Sequence, residues 1–198
     1  MDRNPSRVAA VNESGRDAVC ADARSLDVED VVRFVSMSDF LEHLPHLKAV
    51  RSVIGSAARA ATDFLYIFHP SFEGKELAAA AGFKQYWWDW RVHTAHIRID
   101  DYCQMFDQLG LRRYCIRYVK PVVDSGHPSV LPIDAPPDQS AYDEARHGPK
   151  ERVEFAHPLW RAQEIFVALR DLPAEEWQRI TEPWKKTPLR ELVETRRA

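Results

Sequence analysis

Apolar residues recur at intervals of three and four along most of the chain, the period of a helix with one buried face. Val28, Val31, Val32 and Val35 open the pattern, and Ser38 can cap a short turn carrying Phe40, Leu41 and Leu44. Pro45 ends that turn and suits the first position of the next helix, whose stripe Leu47, Val50, Ile54, Ala58, Ala61, Leu65, Phe68 runs to His69-Pro70. Neither Pro nor Gly interrupts Phe83 to Leu109. There Trp88, Val92, Ala95, Ile99, Tyr102, Phe106 and Leu109 share one side at about 100° per residue, which predicts one long helix closed by Gly110.

A short helix is expected over 111–119, with Tyr114 and Tyr118 one turn apart. The next stretch, 121–150, carries Pro121, Pro128, Pro132, Pro136, Pro137 and Pro149, and reads as a long loop. Helix resumes at Pro158 with Leu159, Ala162, Phe166 and Leu169 facing inward, and shorter helices open at Pro173 and, behind Thr187, at Pro188. No segment alternates at period two for long enough to indicate a sheet. The expected fold class is therefore all-α, a helical bundle of about five or six helices with the Pro-rich loop before the fourth main helix. Residues 1–26 mix small and charged side chains and read as a flexible lead-in, leaving 27–198 as a single domain.

Composition fits one globular domain: 198 residues, 45% hydrophobic, 29% charged, formal net charge −3. The slight acidity excludes a dedicated duplex-DNA binder. No run approaches the roughly 18 apolar residues of a membrane span, Met1-Asp2-Arg3-Asn4 opens no signal-peptide core, and a cytoplasmic location is expected. Cys20, Cys103 and Cys115 are odd in number and form no CxxC, which argues against a disulfide framework or a cysteine zinc site. No phosphate-cradling glycine loop, nucleophile elbow, EF-hand loop or HExxH is present.

Three constellations carry candidate chemistry. On a helix over 83–109, Asp89, His93, His96, Asp100 and Asp107 project from one polar face. His93, His96 and Asp100 at that spacing would suit a divalent or transition metal, the alternative to a chain with no cofactor. His43 and His46, after Glu42, repeat the spacing but straddle Pro45. Second, Arg precedes His by five residues twice, Arg91 to His96 and Arg152 to His157, pairing a phosphate-holding cation with a proton-moving imidazole. Third, Arg112, Arg113, Tyr114, Arg117, Tyr118 and Lys120 interleave cations with rings, as single-stranded RNA binding requires.

An Arg-x4-His motif in a small helical bundle with an aromatic-rich long helix resembles the HEPN superfamily of RNA-processing and defence proteins. The resemblance implies an RNA-binding or metal-independent RNA-cleaving homodimer in which Arg152 holds the phosphate and His157 acts as acid or base, with Arg112, Arg113, Arg117 and Lys120 contacting RNA. Tyr86, Trp87, Trp88 and Trp90 cannot all face one core, so Trp87 and Trp90 are candidate anchors for a second protomer or another protein. The remaining readings are a metal-dependent bundle enzyme and a non-enzymatic dimeric interaction module.

Overall fold

The computed structural model describes residues 1–182 and the backbone of 194–196. A sheet forms its centre, which corrects the all-α bundle. The correction is clearest in the segment read as one helix from Leu47 to Phe68. It divides into helix α2 (Leu47–Ala60) and strand β2 (Ala61–Pro70). In β2, Ala61, Asp63, Leu65, Ile67 and His69 are buried on one side, and Phe64, Tyr66 and Phe68 are half-buried on the other. With apolar groups on both faces, a strand shows no polar–apolar alternation to read. Ala61, Leu65 and Phe68 merely continued the helical spacing of α2.

Strand β1 (Val32–Ser38) lies parallel to β2, placing Val35 opposite Leu65 and Met37 opposite Ile67. A parallel pair needs a crossover, and α2 supplies it. Strand β6 (Glu154–Ala168) runs antiparallel to β2, β4 (Arg113–Asp124) antiparallel to β6, and the short β7 (Glu194–Arg196) antiparallel to β4. The sheet order is β1-β2-β6-β4-β7. One face is covered by α2 and by α4 (Ile99–Gln108), whose Val50, Val53, Ile54, Tyr102 and Phe106 pack on Leu65, Ile67, Tyr114, Ile116, Ile165 and Val167.

The expected long helix over 83–109 is also corrected. Phe83–Gln85 form β3, paired with β5 (Val130–Pro132); Tyr86–Asp89 make a single 3-10 turn, 90–98 are irregular, and only then does α4 begin. Val92, placed on the core stripe by helical period, is 58% exposed. Glu73 fixes the start of α4 by accepting the Ile99 N–H at 2.9 Å. The 111–119 helix is replaced by β4 and the helix at Pro158 by β6.

Part of the Pro-rich stretch is built into β4, β5 and the one-turn helix α5 (Glu144–His147). Asn4 caps an N-terminal helix α1 (Pro5–Glu13), its side chain accepting from the N–H groups of Ser6 and Arg7. Helix α3 (Lys75–Ala80) follows β2, and Pro173 introduces α6 (Ala174–Thr181) as expected. The helix expected at Pro188 lies outside the described residues. No helix among the described residues is long and apolar enough to cross a membrane.

Leu47 and Leu65 stood on one stripe in the helical reading, whereas here Leu65 is fully buried and Leu47 is 38% exposed. Leu65→Ala should therefore cost about 2–5 kcal/mol in denaturant unfolding, and Leu47→Ala less than about 1 kcal/mol. Equal losses would contradict the sheet.

Candidate functional site

In open α/β sheets, ligands bind beyond the carboxyl ends of the parallel strands. Here β1 and β2 end together at Ser38 and Pro70, and a cleft of about 310 Å³ opens there, lined by Asp39, Glu42, His43, Phe68, Tyr86, Trp87, Trp90, His93, Lys120 and Arg161 among others. Two lining residues, Asp39 (φ 46°) and Lys120 (φ 59°), hold left-handed backbone conformations, a strain that concentrates at functional sites. A larger depression of about 570 Å³ lies at the opposite end of the sheet, between Gly110–Arg113 and Ala168–Asp171. It gathers no histidine, and its single acid, Asp171, is exposed and turned to Arg113. The chemistry is in the smaller cleft.

Three segments build the polar end of this cleft. After β1, residues 41–43 wind into a 3-10 turn that buries Leu41 and Glu42 and leaves His43 at the rim. Glu42 is 1% exposed, and neither carboxylate oxygen has a hydrogen-bond partner. Burial, with Asp39 nearby, pushes its carboxyl up to about 7. The Nδ1 of His43 lies 3.0 Å from the Val92 carbonyl, and that of His93 lies 2.9 Å from the Trp87 carbonyl. A carbonyl only accepts, so both rings carry a proton on Nδ1 and turn Nε2 elsewhere. His43 Nε2 stands 3.9 Å from Glu42 Oε1, and the two imidazoles meet edge to face at 4.9 Å. Among the described residues, Glu42, His43 and His93 form a group able to hold a metal ion, with one ligand atom from each within 4.8 Å of the others.

The wall opposite is aromatic. Ser71, immediately after β2, accepts from both Trp87 Nε1 and Trp88 Nε1 at 2.9 Å, which locks the 3-10 turn against the sheet. Tyr86 and Trp90 then pack at 5.1 Å, and Trp90 lies 5.1 Å from His93. The buried Nε1 of Trp90 and Nε of Arg161 lack hydrogen-bond partners. Lys120 places its ammonium over the Phe68 ring. Deeper still, His69 is fully buried with neither ring nitrogen bonded, and burial depresses it to about 4.

Of the residues singled out from sequence, His93 reaches this site and His43 joins it. His96 and Asp100 do not: His96 stacks on Phe72 with Lys75 Nζ at its Nδ1, and Asp100 sits in the first turn of α4. The proposed His93, His96, Asp100 metal face required a helix that does not form. Arg152 binds Asp124 through Nε and Nη2 at 2.9 and 2.7 Å, while His157 is an exposed residue of β6. Arg91 pairs with Asp138. Arg112, Arg113, Arg117 and Lys120 share no helical face: Arg112 pairs with Asp107, Arg113 reaches the Leu172 carbonyl, and Arg117 is buried near Glu164 and Phe166. Trp87 is 3% exposed, a wall of the cleft and not a surface anchor. Glu42 escaped the sequence reading as a site residue, although the sequence Glu42-His43 directly after an apolar run was the available signal.

No family model matches the chain, and no curated protein matches it. Among solved structures, a protein from Archaeoglobus fulgidus described as a SAM-dependent methyltransferase superposes with a TM-score of 0.52 at 16% identity, covering 83% of this chain and 72% of its own. A Thermotoga maritima protein also described as a SAM-dependent methyltransferase gives 0.50 at 10% identity, covering 84% and 70%. At such identities the likeness is one of fold. It overturns the HEPN resemblance, the RNA-cleaving function drawn from it and the bundle-enzyme alternative. The expectation of no cofactor, or a metal on a helical face, falls with the bundle on which it stood.

Two of the buried titratable groups set opposite pH dependences. His69 is neutral when folded and gains a proton more easily when unfolded, so its contribution of about 3 kcal/mol is lost as pH falls from about 6.5 to about 4. Glu42, its folded value raised, costs stability as pH climbs from about 4.5 to about 7. In denaturant unfolding across this range, His69→Leu should lose less stability on acidification than the parent. Parallel profiles would mean that His69 is not held neutral.

Proposed function

We propose that the chain is a methyltransferase-type domain that transfers a methyl group to a small polar acceptor held in the cleft between Glu42 and the aromatic wall. The observation that carries this reading is the buried Glu42 carboxylate, without hydrogen-bond partners, beyond the carboxyl ends of a parallel strand pair. The fold neighbours support it, being described as SAM-dependent.

S-adenosylmethionine is a sulfonium cation with an amino-acid end and a nucleoside end. The lining matches the charged end: Asp39, Tyr86 and Trp90 would hold the sulfonium, and Lys120 and Arg161, whose Nε lacks a partner, would hold the carboxylate. The nucleoside end finds no glycine turn, since the link from β1 to α2 has none between Asp39 and His46. When bound, the group supplies an electrophilic methyl.

The chain's own residues have three tasks. Glu42 accepts a hydrogen bond from the acceptor's O–H or N–H and so turns the acceptor's lone pair into the cleft. Trp90 and Tyr86 exclude water from the reacting end. His43 and His93, fixed by the Val92 and Trp87 carbonyls, form the polar rim beside Glu42 and face the acceptor from the same side. The cytoplasm is the location we assign, supported by three free thiols.

Titration calorimetry tests the reading. S-adenosylmethionine should bind several-fold more tightly than its demethylated, uncharged thioether product. Trp90→Ala should weaken binding and narrow that gap, and Arg161→Gln should weaken both ligands. No binding at millimolar ligand, or affinities unchanged in both variants, would overturn the proposal.

A further inference from the structure

Glu42 presents a physical problem that its neighbours within the chain do not solve. A buried carboxylate needs hydrogen bonds or a countercharge, and its oxygens have no hydrogen bond. The nearest groups are the imidazoles of His43 and His93, whose Nδ1–H groups are already spent on the Val92 and Trp87 carbonyls. Neutral imidazoles with Nδ1–H anchored on backbone carbonyls are the form in which histidine binds a metal through Nε2, and the carbonyls are the outer partners that fix the ring.

We infer that Glu42, His43 and His93 bind one divalent first-row transition ion of the zinc and manganese class, with Asp39 supplying further negative charge at the cleft. Two nitrogens and one carboxylate select such an ion over magnesium or calcium, which prefer all-oxygen shells. The ligand atoms, within 4.8 Å of one another, stand wider than the roughly 3.4 Å separation of neighbouring ligands around a tetrahedral ion with 2.1 Å bonds. His43 Nε2 already stands 3.9 Å from Glu42 Oε1, and His43, at the exposed rim, is the ligand with room to adjust. Three protein ligands leave a position open to the cleft, where an acceptor's hydroxyl oxygen would bind and lose its proton to solvent at the cleft mouth more readily.

This last role rests on the methyl-transfer reading; the ion site does not, and its test uses no methyl donor. Cobalt(II) titrated into the purified chain should bind at one equivalent, develop visible d–d absorption, and be displaced by zinc but not by magnesium. His43→Gln and His93→Gln should each weaken cobalt binding at least about 10-fold. His96→Gln, outside the group, should bind as the parent does. Because His43 lies at the rim, its variant keeps the assignment testable if the buried His93 variant fails to fold. Absence of the absorption bands, binding beyond one equivalent without saturation, or equal affinity in His43→Gln and His96→Gln would overturn the site. Cobalt binding without S-adenosylmethionine binding would retain the ion site and reject methyl transfer.

Discussion

The carbonyl of Ser71 is the point on which the cleft depends. It leaves the end of β2 and accepts two indole N–H groups, from Trp87 and Trp88. A carbonyl has two lone pairs, and here both are used, so two bulky adjacent rings are held by one backbone atom of the sheet. Trp87 in turn offers its own carbonyl to His93, which fixes the imidazole opposite Glu42. Two hydrogen bonds in series, Trp87 to Ser71 and His93 to Trp87, thus transmit the position of the central sheet to the site's ring nitrogen, with Trp88 braced on the same carbonyl. Of these, the Trp87–Ser71 bond serves both the aromatic wall and the imidazole.

The paired groups at the site follow from where strands end. The parallel pair β1 and β2 brings the backbone after both strands to one edge, and the antiparallel β6 and β4 bring Arg161 and Lys120 to the same edge from the other side. Asp39, Glu42 and His43 follow β1, the cations come from β6 and β4, and the rings and His93 come from the 86–93 segment. The cleft is therefore polarised across its width, which suits a ligand carrying both signs of charge.

Little of the fold was legible in the sequence, and the reason lies in particular residues. Phe64, Tyr66 and Phe68 occupy the face of β2 that polar residues would mark in a one-sided strand. Arg113 to Lys120 of β4 likewise carry cations and rings that sit equally well on a helical wheel. What local signals could show, they did: α2 begins directly after Pro45-His46, α6 follows Pro173, and Gly110 stands just past α4 at φ 72°. His93 was recognisable as a candidate ligand, and His43 was noted, but their meeting with Glu42 requires a contact between segments about fifty residues apart. Periodicity carries no information about such a contact. Arg152 and His157 fitted a motif whose premise was a helix; instead Arg152 pairs with Asp124 before β6 begins, and His157 is exposed on that strand.

The cleft draws its lining from four parts of the fold, at 39–43, 68–70, 86–93 and, on the adjacent strands β4 and β6, 120 with 161–162. None of these can form a binding surface by itself, so the unfolded chain has no affinity for whatever the cleft binds. An occupant that touches all four therefore acts as a brace for the whole domain: its binding free energy adds to the work of unfolding in proportion to the logarithm of its concentration above the dissociation constant. The chain's resistance to proteolysis and heat then reports on the ligand supply of its surroundings.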